Sequence, residues 1–320
     1  MMKRKLVITQ NLNEHLLHKV NNILPDWTII TGSDPSKWEP HIKDAEIIAG
    51  WKKQMEETIL NEDINLKWLQ TWSAGVNKVP LDYFREKKIH LTSANGVHGY
   101  PISETIFAYM LSFTRKLHTY VRQQIQQTWH HANMNQELHE KTVGIIGVGH
   151  IGRETAKIAK AFGMRVLGIR NSGGQEEFVD EMHTSFDLHK VLPKCDFVIV
   201  TLPLTPETKG LFGKAEFELM KSSSIFVNIG RGAIVKETDL IEALESKQIA
   251  GAGLDVFEIE PLPKESPLWK MENVIITPHT SGSTEYYNQR VIENIFIPNL
   301  HDYLNGKKPS VNLLNFDKGY

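Results

Sequence analysis

Apolar residues in the first hundred positions fall into short dense runs, KLVIT, WTII, AEIIAG, KWLQT and IHLTS, separated by polar and amphipathic stretches. Short apolar runs alternating with amphipathic segments predict parallel strands joined by helices. A longer stretch follows, YPISETIFAYMLSFTRKLHTYVRQQIQQ. Pro101 suits a helix start, where its missing N–H has no partner to lose. Ile106, Ala108, Met110, Leu111, Phe113 and Leu117 supply a broad apolar face, so the pattern predicts one long helix. After the unpatterned polar link HHANMNQELHEK the alternation resumes, with TVGIIG, RVLGI, DFVIVTL, SIFVNIG, GAGLDV and NVIITPH as six further strands. A last helical stretch spans roughly 283–304 and is expected to be interrupted at Pro298.

The expected fold class is α/β: two doubly wound parallel-sheet domains, Rossmann-like and flavodoxin-like, with a cleft between them. The two long helices would carry the chain out of one domain and back. The first domain is therefore expected to be discontinuous, residues 1–100 with 284–320, around a second at 101–283. A length of 320 residues, 41% hydrophobic and 23% charged, suits two domains with full cores. The formal net charge of -2 gives no reason to expect nucleic acid or an anionic membrane as partner. No apolar run has the length of a signal core or a membrane span, so the expected location is cytoplasmic. Cys195 is the single cysteine, which excludes an internal disulfide and a cysteine-rich metal site. Its setting, KCDFVIV, marks a buried inert thiol, and no metal is expected.

The segment TVGIIGVGHIGRETAKIAKAFGMRVLGIRNSGG carries chemistry. Gly147, Gly149 and Gly152 match G-x-G-x-x-G, a weak pattern alone. Here it lies between a strand and a helix with a second strand beyond, the context of a dinucleotide site. Gly147 would allow the tight turn, Gly149 the approach of the pyrophosphate, and Gly152 close packing of helix on strand. Arg170 stands eighteen positions beyond Gly152, where a carboxylate would accept the ribose diol of NAD. A guanidinium there can instead bind a 2′-phosphate bidentately, and Asn171 and Ser172 add donors beside it. The expected cofactor is NADP(H) in preference to NAD(H).

Four further segments, LPLTPETKGLFG, FVNIGRGAIV, GAGLDVFEIEPLP and NVIITPHTSG, occur in order behind the glycine turn, with LQTWSAGVNKV ahead of it. Together they resemble the D-isomer-specific 2-hydroxyacid dehydrogenase family, from residue 69 to 282. The resemblance implies an active site of Arg231, Glu260 and His279. Hydride addition to a 2-oxo acid leaves negative charge on the carbonyl oxygen. An imidazolium can donate a proton there, a neighbouring carboxylate orients the ring, and an arginine can grip the substrate carboxylate. His279 is thus the expected acid/base, Glu260 its partner and Arg231 the anchor, with reduction fastest when His279 is protonated. Of the other histidines, His15, His18, His130 and His131 lie in polar or amphipathic stretches, and His98 stands at the expected domain link.

The same resemblance implies cofactor contacts at His150, Ile151, Pro203, Thr205, Thr208 and Ile229. It also implies a meeting of Asp255 with the nicotinamide carboxamide. It presents Ala74 and Gly75, in the SAGVNKV loop, to the substrate carboxylate, where glycine permits close approach. Trp51, at the end of AEIIAGW, is similar to a feature of the NADPH-dependent glyoxylate and hydroxypyruvate reductase branch and would narrow the pocket toward small 2-oxo acids. The leading expectation is NADPH-dependent reduction of such an acid to the D-2-hydroxy acid by a homodimer. Two alternatives are weighed: phosphoglycerate dehydrogenase-like oxidation, and a nucleotide-sensing binding protein like the family's corepressors.

Overall fold

In the computed structural model, which describes residues 4–316 apart from 77, 133 and 135, the chain divides into two units. One is Met1–Val97 with Thr284–Tyr320, the other His98–Ser283. The five early runs of the first unit form β1 (Lys5–Ile8), β2 (Thr28–Thr31), β3 (Ile47–Ala49), β4 (Trp68–Gln70) and β5 (His90–Thr92). Their order is β2-β1-β3-β4-β5, parallel throughout. Leu6, Ile8, Ile47 and Ala49 enter one buried layer, while Val7 and Ile48 enter the other. A sheet covered on both faces explains why its strands read as continuous apolar runs.

The C-terminal segment completes the first of these layers. Ile292, Phe296 and Leu300 pack with Leu6, Ile8 and Trp68, and the rings of Phe296 and Trp68 stack at 5.1 Å. Contrary to expectation, this helix is not interrupted at Pro298. Tyr287–Val291 passes through a π turn, Ile292–Phe296, into Ile297–Leu304. Proline has no N–H to donate, and its ring crowds the carbonyl four residues back. The wider turn just before it relieves that conflict without ending the helix.

The second unit contains β6 (Thr142–Ile146), β7 (Arg165–Ile169), β8 (Glu181–His183), β9 (Phe197–Val200), β10 (Ile225–Asn228), β11 (Gly251–Leu254) and β12 (Val274–Ile276). Their order is β12-β11-β10-β9-β6-β7-β8, again all parallel. β8 is additional to the six expected strands. Glu-Met-His offers no apolar run, and it lies half-exposed at the sheet edge beside β7. Val143, Ile145, Phe197 and Ile199 face one core layer; Ile146, Val198 and Val200 face the other.

The single long helix expected after residue 100 is two helices, Gly99–Thr114 and Leu117–Ile125, with Lys116 left-handed at φ 54° between them. The first buries Ile106, Tyr109, Met110 and Phe113. That face is spent at Phe113, the Thr114 hydroxyl bonds back to the Met110 carbonyl at 3.1 Å, and the helix ends. Cys195 is fully buried, donates to the Val191 carbonyl, and burial pushes its thiol up to about 12. It is inert as a nucleophile. Among the described residues no helix is long and apolar enough to cross a membrane.

Candidate active site

Between β6 and the helix His150–Ala161 the chain makes a tight turn. Gly147 sits at φ 114°, and its N–H and that of Val148 both donate to the Ile169 carbonyl at 3.0 and 3.1 Å. The turn is thereby fastened to the last residue of β7, next to Arg170. A Cβ on Gly152 would lie 2.6 Å from the Gly147 carbonyl oxygen, so helix and turn pack only with glycine there. Gly149 differs, because a Cβ on it would meet nothing within 4 Å. Packing within the protein does not require that glycine, whereas close approach of an external group would. No side chain caps the helix that follows, so its first N–H groups remain available. The donor set fits the pyrophosphate of a dinucleotide. His150 is exposed at the helix start, and Ile151 packs against the core.

Arg170 donates to the Gly174 carbonyl at 2.8 Å and to the Glu176 carboxylate. Its Nε is buried without a partner among the described residues. Asn171 and Ser172 lie exposed in a turn closed by the Gly173 N–H on the Arg170 carbonyl. Sequence reasoning missed Arg153, on the first turn of the helix, which holds Glu176 through two hydrogen bonds of 2.9 and 2.7 Å. Its position four residues after Gly149 was the available signal.

Arg231, Glu260 and His279 follow the C-terminal ends of three neighbouring strands, β10, β11 and β12. In register, Asn228 pairs with Leu254 and Leu254 with Ile276. Arg231 and His279 thus each stand three residues beyond aligned strand ends. Gly232 explains how the middle loop comes close: a Cβ there would fall 1.9 Å from the Phe257 carbonyl carbon and oxygen. Only glycine lets the Phe257–Glu258 backbone pass. Glu260 is held by the Phe257 N–H at 3.0 Å through Oε1, and its Oε2 meets Nδ1 of His279 at 2.7 Å. A carboxylate can only accept, so Nδ1 carries the proton in that bond and Nε2 is left for other work. His279 is half-exposed and left-handed at φ 54°. The Arg231 guanidinium donates to the Gly230 carbonyl at 2.7 Å and has no acidic partner among the described residues.

Asp255 is the residue whose use sequence reasoning did not foresee. It is 1% exposed, and its carboxylate accepts from the Thr277 hydroxyl and from the backbone N–H groups of Thr280 and Ser281 at 2.5, 2.9 and 3.2 Å. The Ser281 hydroxyl adds a further bond, and the buried Tyr109 hydroxyl meets that of Thr277. Asp255 therefore clamps both sides of His279. Thr208 is likewise engaged within its own loop, donating to the Pro203 carbonyl and accepting from the Thr205 N–H, at 2.7 and 2.8 Å. Ile229 is buried in the core at the end of β10. The His98 ring meets the Gly282 carbonyl at 3.2 Å.

In the first unit, Trp51 follows β3 and packs edge-on against Phe84 at 6.0 Å; its indole N–H is buried and without a partner among the described residues. Ala74 and Gly75 lie in the loop after β4. The Ser73 hydroxyl braces that loop on the Gly75 carbonyl at 2.7 Å, and no described residue accepts from the N–H of Ala74 or Gly75.

A dinucleotide turn and a carboxylate-held histidine on one parallel sheet define a nicotinamide-dependent oxidoreductase. Residues 107–281 match the family model described as D-isomer specific 2-hydroxyacid dehydrogenase, NAD binding domain. Glyoxylate/hydroxypyruvate reductase B of Salmonella typhimurium is 34% identical over 317 residues, covering 96% of each chain. Among solved structures, a D-isomer specific 2-hydroxyacid dehydrogenase family protein from Aeromonas salmonicida superposes with a TM-score of 0.86. It is 35% identical, over 98% of this chain and 100% of the other. NADPH-dependent glyoxylate/hydroxypyruvate reductase from Sinorhizobium meliloti, in complex with NADP and sulfate, gives 0.81 at 27% identity, over 99% and 100%. The chain belongs to the D-isomer specific 2-hydroxyacid dehydrogenase family, and it is an NAD(P)-dependent enzyme of that kind.

Proposed function

We propose that the protein reduces a small 2-oxo acid, glyoxylate or hydroxypyruvate first, to the D-2-hydroxy acid, with NADPH preferred over NADH. The observation that carries this reading is the 2.7 Å bond between His279 Nδ1 and Glu260, with Arg231, at a strand end of the same sheet, lacking an acidic partner among the described residues. Reduced nicotinamide, when bound, supplies the hydride. His279 gives a proton from Nε2 to the carbonyl oxygen as negative charge develops there, and takes it back in the reverse direction. Glu260 fixes the ring so that Nε2 points at substrate and balances the charge of its protonated form. Arg231 offers guanidinium donors to the substrate carboxylate while polarising the carbonyl.

The cofactor is proposed to rest its pyrophosphate on Gly149, His150 and Ile151 and its 2′-phosphate on Arg170, Asn171 and Ser172, with Pro203, Thr205, Thr208 and Ile229 lining its path. The orphaned Nε of Arg170 supports this, since a phosphate would give that buried donor an acceptor. Asp255, at the C-terminal end of β11, belongs to the nicotinamide end in this reading and acts there by clamping the His279 loop. Ala74 and Gly75 take the substrate carboxylate on N–H groups that no described residue accepts, and Trp51 limits substrate size.

A homodimer through the second unit belongs to the same proposal. Leu117, Val121 and Ile125 recur every four residues on one side of their helix, are all exposed, and lead to a fully exposed Trp129. A hollow of about 540 Å³ adjoins them, lined by Tyr120, Gln124 and Trp129 among others. Ile125→Asp should shift the mass in solution from dimer to monomer.

The deciding assay follows loss of nicotinamide absorbance with a panel of 2-oxo acids and both cofactors. Glyoxylate and hydroxypyruvate should give the highest kcat/KM, with NADPH. Failure of every 2-oxo acid to turn over, or a preference for a larger acid with NADH, would overturn the reading.

A further inference from the structure

The guanidinium at the end of β7 already has a carboxylate on it. Arg170 gives Nη1 to Glu176 and Nη2 to the Gly174 carbonyl, and only its buried Nε is uncommitted among the described residues. The same Glu176 carboxylate takes Nε and Nη2 of Arg153, at 2.9 and 2.7 Å, from the first turn of the helix behind the glycine turn. One anion thus bridges two cations, one at the end of β7 and one on the first turn of the helix behind the glycine turn. Arg170 and Glu176 are 26% and 17% exposed, so solvent screens their attraction only in part. Hydrogen bonds from Arg153 first, then from Arg170, hold the Glu176 carboxyl below the usual carboxylate range, and it is ionised at neutral pH.

We infer that Glu176 is a specificity-determining residue that competes with the 2′-phosphate of NADPH for Arg170 and Arg153. This rests on the reading of Arg170 as the 2′-phosphate anchor. A phosphate cannot take Nη1 of Arg170 while the carboxylate holds it, and two anions on one guanidinium repel at short range. Glu176 must turn away, and the loop that carries it contains Gly173 at φ 60° followed by Gly174. NADH makes no such demand. Its ribose diol can donate to a carboxylate in this position, so Glu176 narrows the difference between the two cofactors. Arg170 sets the direction of the preference and Glu176 limits its size.

The test measures NADPH and NADH dissociation constants by calorimetry on the full chain, for the wild type and for Glu176→Gln, Glu176→Asp and Arg170→Ala. Glu176→Gln should tighten NADPH by about tenfold while NADH changes little or weakens. Glu176→Asp, with a shorter reach, should fall between. Combining Glu176→Gln with Arg170→Ala should remove most of the gain, leaving only the part that Arg153 supplies. Unchanged or weaker NADPH binding in Glu176→Gln, with Arg170→Ala still lowering the NADPH preference, would make Glu176 a prop for the arginines and overturn only this inference. An NADPH-to-NADH affinity ratio untouched by Arg170→Ala would overturn the 2′-phosphate anchor and this inference with it.

Discussion

Both units of this protein wind a parallel sheet in opposite directions from its first strand, with β1 between β2 and β3, and β6 between β7 and β9. Each first strand then feeds a helix. In the first unit, Asn13 plugs that helix: its side chain accepts from the Leu16 N–H at 2.9 Å, and Glu14 sits in the first turn. In the second unit the corresponding helix has glycine ahead of it, no side-chain cap and no acidic residue in its first turn. Topology alone makes such a crevice available in either sheet. What separates them is whether the chain satisfies its own orphan N–H groups or leaves them for an anion.

The strongest break of that contrast concerns chemistry at the strand ends of the second unit. His279→Ala should lower kcat for glyoxylate with NADPH by about a thousandfold. The NADPH dissociation constant and melting temperature should stay near wild type, because the ring is half-exposed and contacts Glu260 rather than core. Unaltered turnover would remove His279 from the proposed mechanism.

Next comes a pair of substitutions at equivalent places. Gly149→Val puts a β-carbon where no protein atom lies within 4 Å. Cofactor affinity should drop by roughly a hundredfold, with stability unchanged. Asn13→Ala in the first unit should do the reverse, costing about 1 kcal/mol of stability and leaving cofactor affinity alone. A stability loss from Gly149→Val comparable to that from Asn13→Ala, read by denaturant midpoints, would end the distinction between a plugged helix start and an open one.

A smaller effect is expected at Asp255, which serves both structure and site. Asp255→Asn keeps the size but replaces one accepting oxygen with a donor facing backbone N–H groups. It should cost about 1–3 kcal/mol and reduce kcat more than it raises KM, because the loop that places His279 loosens. Equal damage to kcat and KM, or a stability loss alone, would reduce Asp255 to a structural role.

How much of this was readable beforehand follows the same division. Runs such as KLVIT and SIFVNIG announce buried parallel strands because both faces of each are covered. Glu181–His183 could not be read, since an edge strand of three residues with Met182 as its single apolar member has no pattern to show. The break at Lys116 depended on where an apolar face runs out, and the π turn before Pro298 on how a helix accommodates a missing donor. Spaced motifs announce Arg231, Glu260 and His279. Glu176 and Arg153 lie in no motif and meet only through folding, and the hydrogen bonds of Asp255 come from residues more than twenty positions later in the chain.

The last and smallest effect lies in the first unit. Glu46 accepts from Arg4 through both oxygens, at 2.5 and 2.9 Å, and from the Tyr303 hydroxyl at 2.6 Å. Tyr303 belongs to the returning C-terminal helix, so the carboxylate ties the last segment to the first strand. Arg4 lies 4.2 Å over the Trp27 ring, which limits its freedom. Burial raises the Glu46 carboxyl, but the Arg4 and Tyr303 hydrogen bonds outweigh it and leave it below its ordinary 4.5. A folded-state value depressed in this way stabilises the protein above 4.5, and that contribution is lost as pH falls through the lower folded value. At neutral pH the wild type should therefore be more stable than Glu46→Gln by denaturant midpoint, and the gap should close as pH drops below 4.5. Parallel acid curves for the two proteins would mean that the carboxylate does not hold the C-terminal segment through its charge. A closing gap would locate one acid-sensitive tie in the unit that carries none of the proposed proton-transfer chemistry.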